Sequence, residues 1–441
     1  MTKKNNINID MSWDKQVVSS KSKSKSKSER SLLIDIKANN EEEKSTKKRP
    51  PVNLALVIDR SGSMDGPPIN AAKSAVIQIA EKLSSKDRLS LVSFDYEVDT
   101  HFINMKMDDK GKSDAKALVS EIYARGSTDL AGGWFEGARC ATRAIDKGEF
   151  KDGYVVILSD GRANQGIQDP IDLKVHASEL STRGIQTTSV GIGEYYSPLQ
   201  LDALAEGGLG RLHHTDTAED IVDVILGELG EIGSTIAKNI KLNIHHPQHV
   251  ELKCLSKMEN QKLGNAYQIN VGNLQQYQTK SVALLSVFDQ FDIGTDLSFE
   301  AHISWDDAKT GKHHESSVIN SSLKVVSSKE AKEATINTAV VQKIADLWEA
   351  SMAYESMILN EQNRFDKASS IFDDNMTSYS LCVDSLIDSE DRIDRLLSTQ
   401  NKVSSPWAGR TKRASYNLSK KMMMSEKDLR HKDTGDWHGQ F

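Results

Sequence analysis

The chain has 441 residues, in which 63 Asp and Glu outnumber 56 Lys and Arg to give a formal net charge of -7. At about 150 residues per domain, this length predicts roughly three domains. The acidic balance disfavours nucleic acid as a bulk partner. Only three cysteines are present, far apart and without CxxC spacing, which disfavours a disulfide framework or a zinc site.

The amino-terminal residues and the lengths of the apolar stretches indicate where the protein is expected to be located. The first residues, MTKKNNINIDMSWDKQ, contain no apolar segment of the kind that a secretion signal needs. No stretch approaches the ~20 apolar residues of a membrane-spanning helix. We therefore expect a cytoplasmic protein without a membrane span.

The first 50 residues are mostly polar. Residues 1–30 end in SKSKSKSKSER, a low-complexity run that predicts a disordered Lys/Ser-rich tail. Residues 31–39 alternate like a strand, and a lone strand is not stable by itself. We expect this strand to join a β-sandwich formed later in the chain.

Residues 52–236 alternate apolar strands with segments of helix length. LALVID is a continuous apolar run, typical of a parallel strand that is buried on both faces. Repeated βα units of this kind predict a doubly wound, Rossmann-like α/β domain. The gap between the second strand and the third is too short for a crossover helix, so these two are expected to be antiparallel.

The remaining residues divide into three segments. Residues 237–326 form short alternating strands with polar turns, which predicts an all-β sandwich. Residues 329–400 lack Gly and Pro and have a helical pattern, which we interpret as a C-terminal α-helical hairpin. Residues 401–441 carry nine Lys or Arg against four Asp or Glu and are expected to be a flexible basic tail.

The most informative motif is VIDRSGSMDG, at the carboxyl end of the first α/β strand. Ligands of doubly wound sheets bind outside the carboxyl ends of the strands, where Asp160 also follows a strand. Asp59, Ser61, Ser63 and Asp160 together offer an all-oxygen ligand set for a hard divalent cation. Mg²⁺ accepts a partial protein shell completed by water, so it ranks first, with Ca²⁺ and Mn²⁺ as alternatives.

These residues resemble a known family. DRSGS looks like the DxSxS motif of the metal-ion-dependent adhesion site in von Willebrand factor A (VWA) and integrin inserted domains, GSTDL like its threonine loop, and LSDG like its second acidic loop. The resemblance implies a metal set of Asp59, Ser61, Ser63, Thr128 and Asp160. It also implies that one coordination position is left for a carboxylate of a partner.

The order of the segments is similar to that in bacterial relatives of inter-alpha-trypsin inhibitor heavy chains and of calcium-activated channel-like VWA proteins. We therefore expect an intracellular, metal-dependent protein-protein interaction module or scaffold that binds a partner's Asp or Glu. We expect no enzymatic activity, because no nucleophile elbow, P-loop or HExxH motif is present. The alternatives are a metal-dependent hydrolase and an RNA-binding protein that uses the basic tail. The partner's identity and the oligomeric state are open.

Overall fold

The computed structural model describes residues 7–20, 28–38, 50–193, 196–232, 235–256, 258–276, 278–308 and 310–407. The described residues divide into two compact units. Residues 50–232 form one, called here the α/β unit. The residues before Asn39 and those from Thr235 onward form the other, called here the β-rich unit.

The secondary structure follows the chain in three blocks. Three strands come first: β1 (Ile7–Trp13), β2 (Val17–Ser19) and β3 (Ser28–Ala38). The α/β unit contains β4 (Asn53–Asp59), α1 (Pro67–Lys82), β5 (Arg88–Phe94), β6 (Val98–Lys106), α2 (Asp109–Ser120), α3 (Leu130–Asp146), β7 (Gly153–Ser159), α4 (Pro170–Thr182), β8 (Ile185–Ile192), α5 (Pro198–Gly207), β9 (Leu209–Thr215) and α6 (Ala218–Ile232). The last block contains β10 (Thr235–His245), β11 (Val250–Cys254), β12 (Asn260–Leu263), β13 (Ala266–Gln275), β14 (Thr279–Phe288), β15 (Asp296–Asp307), β16 (His313–Glu315), β17 (Ile319–Val326), α7 (Ser328–Glu333), α8 (Thr338–Glu361), α9 (Phe365–Val383) and α10 (Ser389–Val403).

The α/β unit is built on one six-stranded sheet in the order β6-β5-β4-β7-β8-β9. All neighbouring strands are parallel except β5 and β6, which pair antiparallel. Helices α1, α2 and α6 pack on one face, and α3, α4 and α5 cover the other. The predicted doubly wound α/β fold is confirmed.

Strand β4 lies inside the sheet, between β5 and β7, and every residue in it is buried. Helix α3 approaches it closely at Gly137, where a Cβ atom would lie 2.3 Å from Cγ2 of Val57. The chain leaves β4 toward β5 on one side and later returns to β7 on the other. The carboxyl ends of β4 and β7 are therefore the switch point of the sheet, where ligands of such folds bind.

The β-rich unit contains two sheets, with strand orders β1-β3-β14-β11 and β12-β13-β10-β15-β17-β2; β16 also pairs with β15. Alternating side chains of both sheets form one core, as in β15, where every second residue from Leu297 to Trp305 is buried. The strand expected at residues 31–39 spans Ser28–Ala38 and lies between β1 and β14.

The expectation of a disordered tail over residues 1–30 is wrong for the described part of that segment. Residues Ile7, Ile9 and Trp13 alternate inward along β1, and the Trp13 ring packs edge-on against Phe299 with centroids 4.8 Å apart. This buried apolar surface is sufficient to order the strand against its partner. Residues 1–6 and 21–27 lie outside the described residues.

Asp14 follows β1 and is partly buried in the same unit. Its carboxylate accepts hydrogen bonds from the backbone amides of Lys15 (2.8 Å) and Ser31 (3.1 Å). Burial raises the pKa of Asp14 to about 6, although the nearby Arg30 and the two amides oppose that shift. Its negative charge therefore opposes folding at neutral pH.

The helical region is not a hairpin, because the second predicted helix is broken between Val383 and Ser389 into α9 and α10. Asp and Ser residues dominate this break, and their side chains compete for backbone hydrogen bonds in turns. The break allows α10 to fold back on α8, where the buried Arg392 forms ion pairs with the buried Glu349 and with the partly exposed Asp346 (2.8 Å).

The expectation of a flexible tail from residue 401 is wrong for the described residues up to Trp407. Helix α10 ends at the buried Val403, and Trp407 is 9% exposed. The indole of Trp407 donates to the carbonyl oxygen of Lys402 (2.7 Å), and its backbone amide donates to Asn360 (3.2 Å). The rest of that prediction, residues 408–441, lies outside the described residues.

Candidate metal centre

The candidate metal residues follow two neighbouring strands. In the pairing of β4 with β7, Ile58 lies opposite Leu158, so both strands end at the same edge of the sheet. Asp59 is the last residue of β4, and Asp160 comes directly after β7. The topology of the sheet is therefore what brings these two carboxylates together.

Burial differs among the five predicted ligands. Asp59 is fully buried, and Ser61, Thr128 and Asp160 are each no more than 6% exposed. Ser63 is exposed and belongs to a short 3-10 turn over Gly62–Met64. The site is therefore closed at its deep end by Asp59 and open on the side of Ser63, from which solvent or a partner can approach.

The oxygen atoms of these residues converge around Gly161. A Cβ atom built on that glycine would lie 3.3 Å from Oγ of Ser63, 3.5 Å from Oγ1 of Thr128 and 3.6 Å from Oδ2 of Asp59. Three oxygens from two separate loops therefore surround one point on the third loop, which carries Gly161. Only a residue without a side chain leaves that space open.

Hydrogen bonds join the remaining oxygens to this group. The Ser61 and Ser63 hydroxyls are 3.2 Å apart, and Ser63 donates to Oδ1 of Asp160 at 2.7 Å. Asp59 accepts from the Ser61 amide at 2.8 Å through one oxygen and from the Ser159 hydroxyl through the other. Asp59 is therefore held in a fixed orientation.

Both carboxylates carry a penalty for being charged. Burial raises the pKa of Asp59 to about 6, while hydrogen bonds from Ser159 and Ser61 oppose the shift and the charge of Asp160 adds to it. Burial is also the main cause of the raised pKa of Asp160, and the Ser63 hydrogen bond opposes it. A bound cation would offset this penalty, because an opposite charge favours the ionised form.

The donor set fits Mg²⁺ better than a soft metal. With Mg–O distances of about 2.1 Å in an octahedral shell, neighbouring ligand oxygens lie about 3 Å apart. The 3.2 Å between the Ser61 and Ser63 hydroxyls matches that spacing. Among the described residues no group of three or more His, Cys, Asp or Glu could hold a metal, so hydroxyls must supply part of any shell here.

Two positioning residues were missed by sequence reasoning. Asn164 holds the backbone of Thr128 through two hydrogen bonds. Its side-chain Oδ1 accepts from the backbone amide of Thr128 at 2.9 Å, and its backbone amide donates to the carbonyl oxygen of Thr128 at 3.1 Å. Ser159 orients Asp59. Ser159 could have been inferred from its place beside Asp160 in LSDG, whereas no sequence signal marks Asn164.

Two residues of the metal loop, Arg60 and Met64, are buried. Met64 is fully buried in the core of the α/β unit. The Arg60 guanidinium pairs with Asp95 (3.4 Å) and Asp99 (2.6 Å). Asp95 follows β5 and Asp99 lies in β6, so the pairing is tertiary and could not be anticipated from the local sequence.

Comparison with known proteins identifies the α/β unit. The family model for the von Willebrand factor type A domain matches residues 53–225. The chain contains a VWA domain. Its curated relatives include the protein sll0103 of Synechocystis (25% identity over 65% of this chain and 68% of that protein) and YfbK of Escherichia coli (26% over 49% and 37%). The cattle inter-alpha-trypsin inhibitor heavy chain H4 is 27% identical over 38% of this chain and 19% of its own length.

Two solved structures share the overall fold across nearly the whole chain. The von Willebrand factor type A protein of Catenulispora acidiphila has a TM-score of 0.60 at 14% identity, covering 92% of this chain and 98% of that one. The ArnB paralog VWA2 of Sulfolobus acidocaldarius has a TM-score of 0.53 at 15% identity, covering 95% and 98%. The VWA domain, the additional β-rich region and the C-terminal helices are therefore an arrangement with solved counterparts.

VWA domains are in general metal-dependent protein-protein interaction modules, and most VWA proteins are not enzymes. They typically hold a divalent cation at an adhesion-type site. Among the helices that the structure describes, none is long and apolar enough to cross a membrane.

Proposed function

We propose that this chain is an interaction module that captures an Asp or Glu side chain of a partner protein through a divalent cation, with Mg²⁺ as the first candidate. Ser61, Ser63 and Thr128 would hold the cation directly. Asp59 and Asp160 would balance its charge from the base of the site. The bound cation would supply an open coordination position for the partner's carboxylate.

The convergence of three oxygens around the position of Gly161 carries this proposal. It requires three loops that are distant in sequence to meet, with no side chain filling the space between them. The exposed Ser63 provides the open side that a partner's carboxylate needs. The residues around the site provide hydrogen-bonding and charge-balancing groups, which suits binding rather than turnover.

The metal part of the proposal is tested by direct titration. The full chain is titrated with Mg²⁺ and with Mn²⁺ in a calorimeter, comparing wild type with Ser61→Ala and Asp59→Ala. We expect at least tenfold weaker binding in both variants, because each loses a ligand or the charge beneath the cation. Ser178→Ala, an exposed substitution in α4, is the matched control. Equal affinity in all four proteins would contradict the proposed site.

The partner part of the proposal is tested by affinity capture from the native cell, with wild type and Asp59→Ala in Mg²⁺ and in EDTA. A protein retained only by wild type with Mg²⁺ is the expected result. The same set of proteins in all four conditions would mean that the cation does not bridge to a partner. Turnover of ester or phosphate substrates that is lost in Asp160→Ala would instead favour a hydrolase.

We also propose an intracellular location. Its support is that Cys140, Cys254 and Cys382 are all free thiols, as is usual for proteins of reducing compartments. Burial raises the pKa of each thiol, to about 11 for Cys140. Cell fractionation tests this directly, and recovery from the medium or the cell surface would contradict it.

A further inference from the structure

An exposed aromatic and acidic surface lies beside the metal loop on the α/β unit. We call it the aromatic-acidic rim; its members lie in the turn after β5, at the start of β6 or in the segment after α2, and they are Tyr96, Glu97, Asp99, Glu121, Tyr123 and Arg125. Tyr96 and Tyr123 are 55% and 64% exposed. Large exposed aromatic side chains of this kind are characteristic of protein-binding surfaces.

The rim is joined directly to the loop that carries the candidate metal ligands. The amide of Arg125 donates to the carbonyl oxygen of Arg60 at 2.6 Å, and the amide of Gly62 donates to the carbonyl oxygen of Gly126 at 3.0 Å. The Tyr96 ring packs on Gly126 so closely that a Cβ atom there would lie 2.6 Å from it. The rim therefore lies directly beside the loop that a partner's carboxylate would reach.

The two rings are held apart by Arg125. Its guanidinium lies 6.0 Å from the centroid of Tyr96 and 5.9 Å from that of Tyr123. It also pairs with the buried Asp95 at 2.7 Å and with Glu97 at 2.8 Å. These contacts fix the rings in place, so a partner would meet a surface that is already ordered.

Negative charge is in excess on this surface. Asp99 and Glu97 have side chains that are 51% and 55% exposed, and Glu121 is also exposed. The pKa of His101 is lowered, first by burial and then by Arg60, while Asp99 and Glu121 oppose that shift, which places both carboxylates near one imidazole. Together with Asp95, the carboxylates number four against three cations: the guanidinium groups of Arg60 and Arg125, and the Lys73 ammonium, which donates to the carbonyl oxygens of Ser120 and Ile122 at 2.8 Å.

We propose that the aromatic-acidic rim binds a Lys or Arg side chain of the partner, next to the Asp or Glu that reaches the cation. An exposed aromatic face attracts a cation, and the excess carboxylate charge attracts it further. The proposal rests on the metal-bridged function above and adds the chemistry of the partner. The recognised segment thus carries one acidic and one basic residue.

The spacing between those residues follows from the sheet. The metal loop and the rim residues Tyr96 and Glu97 follow the adjacent strands β4 and β5, which lie about 4.8 Å apart. An extended peptide advances about 3.3 Å per residue, and side chains on the same face are two residues apart. The basic residue should therefore lie about two to four positions from the acidic one.

The test uses defined peptides. Gly/Ser decapeptides with a fixed central Asp carry Arg, Lys, Leu or Glu at each other position and are immobilised at equal density. The full chain is applied in Mg²⁺ and in EDTA. We expect Mg²⁺-dependent retention that is about tenfold stronger with Arg or Lys than with Leu at the favoured positions, and weakest with Glu.

Substitutions of rim residues test whether the rim causes the preference for Arg or Lys in the peptide. Glu97→Gln combined with Glu121→Gln, and separately Tyr123→Leu, should reduce the preference for a basic residue to about twofold or less while Mg²⁺ affinity stays unchanged. Glu149→Gln removes one exposed charge near Arg88, at the opposite end of β5, and should leave the preference intact.

The outcomes separate the two proposals. Mg²⁺-dependent retention without any basic preference, or with a preference for Leu or Glu, would overturn the assignment of the rim and leave the metal-bridged function standing. Retention that is equal in Mg²⁺ and EDTA, or no retention of any peptide, would overturn both. A preference for a basic residue that persists in the rim variants would overturn the assignment of the rim but not the metal-bridged function.

Discussion

Substituting Gly161 by Ala should close the candidate metal centre while leaving the fold intact. The new methyl group would lie 3.3 to 3.6 Å from oxygens of Ser63, Thr128 and Asp59. These are contacts at or slightly inside ordinary van der Waals distance, so the metal-free protein needs only a small shift of Ser63. The φ of Gly161 lies outside the left-handed region, so the backbone accepts Ala. The metal-free variant should lose less than about 1 kcal/mol of stability.

The effect on the metal-bound state should be much larger. At a free Mg²⁺ concentration about a hundred times Kd, binding adds about 2.7 kcal/mol to the stability of the wild-type unit. For a unit of this size that corresponds to a rise of about 5 to 11 °C in Tm. The methyl group occupies space that the cation and its water ligands need, so the variant should show no such rise.

The assay is thermal unfolding of the full chain in EDTA and in saturating Mg²⁺, following the transition that responds to metal. Gly227→Ala is the matched control, because a Cβ atom there meets nothing within 4 Å and its φ is also outside the left-handed region. The control should keep the wild-type shift. A Gly161→Ala protein that is stabilised by Mg²⁺ as strongly as wild type would refute the assignment of the site.

Three further substitutions test other parts of the structure. Asn164→Ala should weaken Mg²⁺ binding about 10- to 100-fold in calorimetry, because Thr128 loses the side chain that fixes its loop. Asp14→Asn should be as stable as wild type near pH 4 and more stable by up to about 3 kcal/mol at pH 7, measured by urea unfolding. Arg392→Met should destabilise the β-rich unit by about 3 to 5 kcal/mol in the same assay, because Glu349 loses its buried ion-pair partner.

The sign of the pH effect follows from the raised pKa of Asp14. Between about pH 3.8, the ordinary value, and about pH 6, the folded chain keeps a proton that the unfolded chain loses. The wild type therefore loses stability as pH rises through that window, and the loss is complete above pH 6. The Asn variant lacks this titration, so a difference between the proteins that does not change with pH would contradict the assignment.

Contradicting results for the other two substitutions are equally direct. Unchanged Mg²⁺ affinity in Asn164→Ala would show that the threonine loop is held by its backbone contacts alone. For Arg392→Met, the double variant with Glu349→Met is the control, since replacing both partners by apolar groups should recover most of the stability. A double variant as unstable as the single one would show that the buried charge of Glu349 is not the cause.

The fold was predictable where the pattern is local and long. Buried runs such as β4 and the alternation of β15 are visible in the sequence, so the doubly wound sheet was predicted correctly. Strand β1 was missed because its alternation is short and a Lys/Ser run separates it from its partner strand β3. The break between α9 and α10 was missed because isolated Asp and Ser residues are common in helices that do continue.

The candidate site likewise combines features that are visible in the local sequence with features that depend on the fold. Its ligand residues stand in three short motifs, so their types and order could be read from the sequence. The burial of Arg60 depends on Asp95 and Asp99, and the orientation of Thr128 depends on Asn164. These pairings join positions 35 or more residues apart, and only the sheet topology determines which of them meet.

The VWA domain interrupts the β-rich unit in the chain, and this affects how the protein emerges during synthesis. Strand β3 must pair with β14: the Ser281 hydroxyl donates to Asp35, 246 residues earlier. At about 5 to 20 residues per second, β3 waits roughly 10 to 50 s for that partner, while the VWA domain has all its strands and can fold in the interval. The apolar residues of β3 are exposed on the ribosome during that time, so the nascent chain is a natural client for a chaperone until β14 is made.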